Sequence, residues 1–342
     1  MAHDESAHKR QKTAGHATVR EQIAEYSIIV ADTGDVKAIE KFKPTDATTN
    51  PSLILKACDL VEYATLIDAA IQYAKDKKNI TDKDKLEIAM DKVAVSIGAK
   101  ISASIPGYIS TEVDARLSFD TKETVRRAVQ IIEMYKEIGI DKSRILIKVA
   151  STYEGIEAGK ILQRDYDINC NLTLLFSLVQ AAACAEANIK LISPFVGRIL
   201  DWYKAKTGKT YDNAEEDPGV ISVKSIYNYY KKFGYKTIVM AASFRNINEI
   251  KALTGCDRLT ISPALLEEMG NASDVEVECR LEPHSAAKAC DYKEQIPTDE
   301  SNFRLQLNED AMATEKLAEG IRGFVADIKK LEDIIRTKLH HV

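Results

Sequence analysis

Residues 144–173, RILIKVASTYEGIEAGKILQRDYDINCNLT, carry the repeating unit of the fold. An apolar, β-rich run at Arg144–Ala150 gives way to a segment of helical periodicity at Tyr153–Arg164, and a second β-rich run follows at Ile168–Thr173. Strands joined through a helix run parallel, and a parallel sheet has to be covered on its faces. The same alternation extends outward in both directions. Further β-rich runs lie at Tyr26–Ala31, Asp46–Thr49, Ile109–Ala115, Ile189–Ser193, Lys236–Ala242 and Arg258–Ser262, which brings the total to eight. Helical segments are read at Ser52–Lys77, Lys122–Ile138, Leu174–Ala187, Val220–Phe233 and Ile247–Thr254. In Lys122–Ile138, the residues Val125, Ala128, Ile132 and Tyr135 return every three or four positions and form one apolar face.

Eight strand–helix units predict an α/β fold of the (β/α)8 TIM barrel type with additional helices. The 342 residues allow two domains or one large barrel, and no linker, repeat or low-complexity run divides them. The expected organisation is a flexible polar tail at residues 1–25 and a single barrel domain at 26–342. Two regions stand outside the repeat and are read as insertions or long loops: Lys75–Ile101, rich in Lys and Asp before another helical run, and Cys279–Asp310, which lacks clear periodicity and carries Pro283 and Pro297. The stretch Asn308–Leu339 is amphipathic through Leu317, Ile321, Phe324, Ile328 and Leu331. It reads as a C-terminal helix, packed either on the barrel exterior or across one mouth.

Composition narrows the function. With 45% hydrophobic and 29% charged residues the chain has enough apolar material for a large core, which excludes disorder along its whole length. A net charge of -5 argues against nucleic acid as a partner. The N-terminus, MAHDESAHKRQKTAGHATVREQ, lacks the apolar core of a signal peptide, and no later stretch is long and apolar enough for a membrane. Its basic cluster at Lys9–Lys12 reads as solvated tail. Cys58, Cys170, Cys184, Cys256, Cys279 and Cys290 form no CxxC pair, which suits reduced thiols in a cytoplasmic protein and argues against a zinc site. No histidine is needed by the chemistry read below.

Catalytic groups of such barrels sit where strands end, so polar residues closing apolar runs are the candidates. They are Asp32, Asn50, Glu112, Lys148, Asn171 with Thr173, Ser193 and Ser243. Lys148 is the most informative. It shares its strand face with Leu146 and Ala150, and burial among apolar groups disfavours the ammonium form, leaving an amine able to attack a ketone and form a Schiff base. A lysine snorkelling from the strand end or pairing with a carboxylate is the alternative. Glu112 and Asp32, from different strands, suit two separate proton transfers or two helix and loop caps. Asn171 and Thr173 alternate onto one face. Ser193 with Arg198, and Ser243 with Arg245, put a hydroxyl and a guanidinium on two adjacent loops, a combination suited to phosphate or, singly, to surface ion pairs.

The motifs VADTGD (30–35), TDATTNPSLI (45–54), ISTEVDARLS (109–118), ILIKVASTYEGI (145–156), NCNLTLLFS (169–177), ISPFVGRILDW (192–202) and ASFRN (242–246) resemble those of the transaldolase family, in order, over roughly residues 26–340. The resemblance implies a cytoplasmic, homodimeric (β/α)8 barrel of the non-oxidative pentose phosphate pathway, with no cofactor and no metal. It implies transfer of a dihydroxyacetone unit from sedoheptulose 7-phosphate to glyceraldehyde 3-phosphate, giving erythrose 4-phosphate and fructose 6-phosphate. Carried over by position, Lys148 is the Schiff-base lysine, Glu112 with Thr173 and a water handles the proton traffic of imine formation, and Asp32 serves C–C cleavage. Asn50, Asn171 and Ser193 hold the dihydroxyacetone moiety, while Arg198, Ser243 and Arg245 bind phosphate. Phe195 stands where related fructose 6-phosphate aldolases tend to carry Tyr, and so removes a proton donor or simply packs. An aldolase releasing free dihydroxyacetone, and a barrel that only binds sugar phosphates or a protein partner, are the competing readings.

Overall fold

The computed structural model describes residues 17–273 and 275–340. Eight parallel strands close into a barrel: β1 (Ile28–Asp32), β2 (Asp46–Thr48), β3 (Ile109–Glu112), β4 (Ile145–Ala150), β5 (Cys170–Leu175), β6 (Leu191–Pro194), β7 (Ile238–Ala241) and β8 (Arg258–Ile261). Each predicted strand is present, with β8 pairing back onto β1. Helices surround the barrel and its interior is layered. Val30, Leu146, Leu191 and Met240, from four strands, pack together as an apolar floor. Beneath them Arg258 Nε meets Asp46 Oδ2 at 2.7 Å, and Asp46 Oδ1 accepts the Tyr108 N–H at 2.9 Å. A Cβ on Gly107 would lie 1.8 Å from that Asp46 oxygen, so the close approach at the barrel floor requires glycine.

Above the floor the interior turns polar, through Thr48, Ser110, Asn171, Ser193 and Thr260, all buried. Register then places Glu112 opposite Lys148 and Lys148 opposite Asn171. Strand β5 departs from regularity at its end, where the pairing with β6 shifts between Leu172 and Leu175 and Leu174 takes a φ of 51°. A bulky residue in the left-handed region is strained, and bulges of this kind re-aim neighbouring side chains.

Several expectations are corrected. The polar tail does not extend to residue 25: Val19–Ala24 is a helix capped by Thr18 and Glu21, and it buries Val19 and Ile23 while the Val19 N–H reaches the Ala272 carbonyl at 2.7 Å. The Lys9–Lys12 cluster lies outside the described residues. Ser52–Lys77 is broken into Pro51–Ala57, a 3-10 turn at Val61–Tyr63, and Ala64–Lys75. The break brings Tyr63 inward to donate to the Gly34 carbonyl at 2.7 Å. The segment Leu174–Ala187 gives its first residues to β5, and its helix starts only at Leu178, behind the Ser177 cap. Cys279–Asp310 holds the helices Pro283–Ala289 and Glu300–Glu309, started by the Glu282 and Asp299 caps.

Lys75–Ile101 is a helical insertion rather than a long loop, and its helical run is Asp82–Ser102, a helix of 21 residues. Its periodicity is obscured by Asp91 and Lys92, both charged and both buried. Asp91 accepts two bonds from Arg127, at 2.8 and 2.6 Å, and Lys92 lies 4.2 Å over the Tyr73 ring.

The C-terminal helix runs from Ala311 to His340 and lies across the C-terminal mouth. Asp327 is bonded by Ser52 after β2, Glu332 pairs with Arg116 after β3 at 2.7 Å, and Glu315 accepts the Trp202 indole N–H after β6 at 2.6 Å. At Gly320 it approaches Leu174 so closely that a Cβ would stand 2.6 Å from that side chain. No helix among the described residues is long and apolar enough to cross a membrane.

The Asp91–Arg127 pair clamps this extra helix to Thr121–Glu137, since breaking one partner of a buried pair strands the other charge. Arg127→Ala is expected to cost about 3–5 kcal/mol at pH 8. Burial pushes the Asp91 carboxyl up to about 6, so the loss should shrink at low pH, where that group takes up a proton. Urea titrations at pH 5 and 8 check both points.

Candidate active site

Parity along each strand decides which side chains enter the barrel. Leu146 belongs to the apolar floor, so Lys148, two residues on, lies inward and one layer higher. Lys148 is 5% exposed, its Nζ donates to the Thr49 carbonyl at 3.0 Å, and it stands 3.7 Å from Glu112 Oε2. That separation is too long for a hydrogen bond, and Glu112 Oε2 has no other partner among the described residues. Thr173 Oγ1, on the neighbouring strand, is likewise buried and unbonded. Burial pushes the Glu112 carboxyl up to about 7; the positive charges of Lys148 and Arg198 pull against that shift, and Asp32 adds to it.

The other strands complete the wall. Asp32, at the end of β1, accepts from Thr48 Oγ1 at 2.9 Å, and that hydroxyl is 2.7 Å from Thr260 Oγ1. Asn171 donates to Ser110 at 3.1 Å and accepts from Ser193 at 2.6 Å, which fixes its amide across three strands. Asn50 caps the helix Pro51–Ala57 by accepting the Leu53 N–H at 2.9 Å through Oδ1, leaving its amide nitrogen for the cavity. Thr48, Thr49, Ser110 and Thr260 were not read from the sequence as site residues. Thr48 and Thr260 fall on the inward parity of their strands, which is the signal that was there to be used.

The loops after β6 and β7 are laced together. The Val196 N–H donates to Ala242 at 2.8 Å and the Gly197 N–H to Ser243 at 2.7 Å. A Cβ on Gly197 would meet the Ser243 carbonyl at 2.5 Å, so only glycine allows the contact. Ser243 sits at a φ of 59°, a strained position for a residue with a side chain. The lacing brings Arg198 and Arg245 together. Arg198 stacks 4.9 Å from the Phe195 ring and 5.6 Å from that of Phe324 on the C-terminal helix. Burial, with Arg245 as a neighbouring like charge, holds Arg198 below its ordinary value. Arg245 reaches Ser243 Oγ at 3.4 Å and is tied to Asp201 at 2.7 Å.

Asp32, Thr48, Asn50, Lys148, Ser193, Phe195, Arg198, Ala242, Ser243 and Thr260 line one cavity of about 50 Å³. Glu112, Asn171 and Thr173 support its wall without lining it, and Arg245 stands at the rim. A larger cleft of about 1130 Å³ lies between the helices Asp82–Ser102 and Thr121–Glu137 and the end of the C-terminal helix. Its arginines are already satisfied, Arg116 by Asp114 and Glu332, Arg127 by Asp91 and Glu87, and Arg336 by Glu332. Among the described residues no group of three or more His, Cys, Asp or Glu is arranged to hold a metal ion.

The fold and these side chains define an α/β barrel with a buried lysine beside a buried carboxyl, opening on a cavity that Asp32 also lines. The family described as Transaldolase/Fructose-6-phosphate aldolase matches residues 29–335. The chain is 58% identical over 317 residues to a transaldolase of Alteromonas mediterranea, covering 93% of this chain and 97% of that one. It is 56% identical over 336 residues to a transaldolase of Saccharomyces cerevisiae, covering 98% and 99%. A probable transaldolase of Drosophila melanogaster is 56% identical over 331 residues, covering 97% and 98%. The chain belongs to the transaldolase/fructose-6-phosphate aldolase family and is an enzyme that transfers ketone residues.

Glu112 gives this site a stability signature. Its folded-state value of about 7 exceeds the ordinary 4.5, so ionising it in the folded protein is unfavourable. The penalty is absent below about pH 4.5 and complete above about pH 7. Glu112→Gln, which cannot ionise, should therefore be more stable than the parent at pH 8, by up to about 3 kcal/mol. At pH 4.5 the two should unfold alike. An equal difference at both pH values would refute the burial argument.

Proposed function

We propose that the enzyme transfers a dihydroxyacetone unit from sedoheptulose 7-phosphate to glyceraldehyde 3-phosphate through a Schiff base on Lys148. The products are erythrose 4-phosphate and fructose 6-phosphate, and the setting is the non-oxidative pentose phosphate pathway. The observation that carries the reading is Lys148 itself, nearly dry inside β4 and 3.7 Å from a carboxyl poised to trade a proton near neutrality. The same reading makes the enzyme a cytoplasmic homodimer without cofactor or metal.

The chemistry follows from the groups present. The neutral amine of Lys148 attacks the ketone carbon, and the carbonyl oxygen takes up a proton to give a carbinolamine. Glu112, relayed through a water held with Thr173, then protonates that hydroxyl, which leaves as water and creates the iminium. The unpartnered oxygens of Glu112 and Thr173 suit such a water, since buried polar atoms call for a partner. Asp32 removes the proton of the hydroxyl on the far carbon of the bond to be broken, whose oxygen becomes the carbonyl of the departing aldose. The C–C bond cleaves, its electrons pass to the iminium, and the aldose departs, leaving an enamine on Lys148. A second aldose phosphate accepts the enamine carbon, Asp32 returns its proton, and water hydrolyses the new imine.

The cavity of about 50 Å³ is far below the roughly 300 Å³ of pockets that enclose a whole small ligand. The reacting end of the sugar therefore sits inside, held by Asn50 and Ser193 with Asn171 behind them, and its phosphate lies at the rim between Arg198, Ser243 and Arg245. Two neighbouring guanidiniums repel one another, and a dianion between them relieves the repulsion. Phe195 is held edge-on against Phe176 at 5.2 Å. It offers no proton to the enamine, which favours transfer over release.

Borohydride reduction in the presence of fructose 6-phosphate should add a stable adduct to the parent enzyme at Lys148 and none to Lys148→Ala. Product release that proceeds equally well without an aldose acceptor would instead favour the aldolase reading. Arg198→Ala should raise KM for fructose 6-phosphate by roughly 10–100-fold, the worth of a charged hydrogen bond, while affecting D-fructose far less. Equal loss for both sugars would remove Arg198 from the phosphate site.

A further inference from the structure

A second buried carboxyl pair lies behind the loop that carries Ser243 and Arg245, and the reaction sequence above makes no use of it. Glu249 belongs to the helix Ile247–Ala252 immediately after that loop and is 1% exposed. Its Oε2 accepts the Arg245 backbone N–H at 2.6 Å, while its own N–H is bonded to Asn246 at 3.0 Å. Its other oxygen, Oε1, is buried without a hydrogen-bond partner. The Asp217 carboxyl lies within hydrogen-bonding reach of Glu249. Asp217 is 2% exposed and fixed in place, because Oδ1 caps the helix Pro218–Phe233 by accepting the Gly219 N–H at 2.8 Å.

Two carboxylates in contact away from water do not both ionise; one proton between them gives each a partner. Burial, opposed by the Arg245 N–H and reinforced by Asp217, pushes Glu249 well above the ordinary carboxylate range. The remaining charged groups on the elements packed around this helix lie further out. Glu215 and Glu216 on the turn Ala214–Glu216 are exposed, as is Glu268, and Glu267 is paired with Lys41 at 2.6 Å. Lys251 on the same helix is half-buried, and the Arg245 guanidinium is turned away toward Asp201.

We propose that Glu249, buried, fixed to the Arg245 N–H and facing the Asp217 carboxyl, is a positioning residue for the phosphate site. The protonated pair holds an acceptor against the Arg245 N–H and thereby keeps Ser243 in its strained left-handed backbone, with Arg198 and Arg245 converging on one anion. Loss of the shared proton sets two buried carboxylates against each other, and the acceptor that pins the loop moves. Phosphate recognition then weakens while Lys148, on the opposite wall of the barrel, keeps its surroundings. This rests on the phosphate reading of Arg198, Ser243 and Arg245 given above.

The test uses Glu249→Gln, whose carboxamide copies the protonated acid: its oxygen accepts from Arg245 and its nitrogen donates to Asp217. KM and kcat for fructose 6-phosphate are measured from about pH 6.5 to about pH 8.5, with D-fructose as the donor lacking phosphate. In the parent enzyme KM for the phosphorylated sugar should rise roughly tenfold across that range, as one proton is lost over more than a pH unit. In Glu249→Gln it should stay level, and the sugar's own phosphate titrates identically for both proteins. Glu249→Ala should raise KM at every pH, with circular dichroism confirming that it folds. Identical pH profiles of KM for the parent and Glu249→Gln would overturn the proposal. An effect of Glu249→Gln on kcat with both sugars, with KM unmoved, would overturn it as well. Failure of the phosphate reading would show separately, as an Arg198→Ala variant that does not discriminate between the two sugars.

Discussion

A lysine nitrogen and a carboxyl oxygen 3.7 Å apart, both shut away from water inside a ring of strands, set the terms for the rest of this molecule. In water either charge would be fully solvated. Here dehydration works against the charged state of Glu112, whose carboxyl is held near neutrality and so can give and take a proton under physiological conditions. Much of the surrounding architecture serves to keep that pair dry and oriented. The aliphatic floor of Val30, Leu146, Leu191 and Met240 excludes water from below. The hydroxyl and amide layer of Thr48, Ser110, Asn171, Ser193 and Thr260 supplies fixed dipoles around it without adding net charge.

The mouth is organised by different means. Strand ends alone would leave Arg198 and Arg245 on independent loops, free to avoid one another. Backbone hydrogen bonds between Val196 and Ala242, and between Gly197 and Ser243, remove that freedom, and the left-handed Ser243 is the conformational cost. The C-terminal helix adds Phe324 against Arg198 and seats Gly320 on Leu174. A strained leucine at the end of β5 and a glycine on the covering helix thus fit each other, on the same strand that carries Asn171 and Thr173.

Legibility from sequence followed the periodicities. The eight strands were readable because each is a short β-rich run of a barrel wall buried on both faces, and Lys148 stood out because a charge interrupts one such run. Asp32 and Glu112 were readable as carboxyls closing strands. The helix Asp82–Ser102 showed only as a helical run of unclear extent, since Asp91 and Lys92 are buried on it through partners on distant segments, Arg127 and Tyr73, and so break the apolar stripe. Thr48 and Thr260 were passed over because a threonine in a strand is unremarkable until its hydroxyl is seen bonding across two strands. Glu249 reads as an ordinary helix residue, and only the approach of Asp217, thirty-two positions earlier in the chain, gives it a role.

By itself the sequence determined the alternation of strand and helix, the shared strand face of Leu146, Lys148 and Ala150, and the residue types able to perform carbonyl and phosphate chemistry, because these depend on neighbours within a few positions. Only the tertiary structure decided which carboxyl lies beside the lysine, that two arginines share one opening, and that the last helix lies across the mouth rather than along the outer wall. Those facts depend on barrel closure, which sets residues far apart in the chain within a few ångströms of each other, and on dehydration, which a linear pattern does not record.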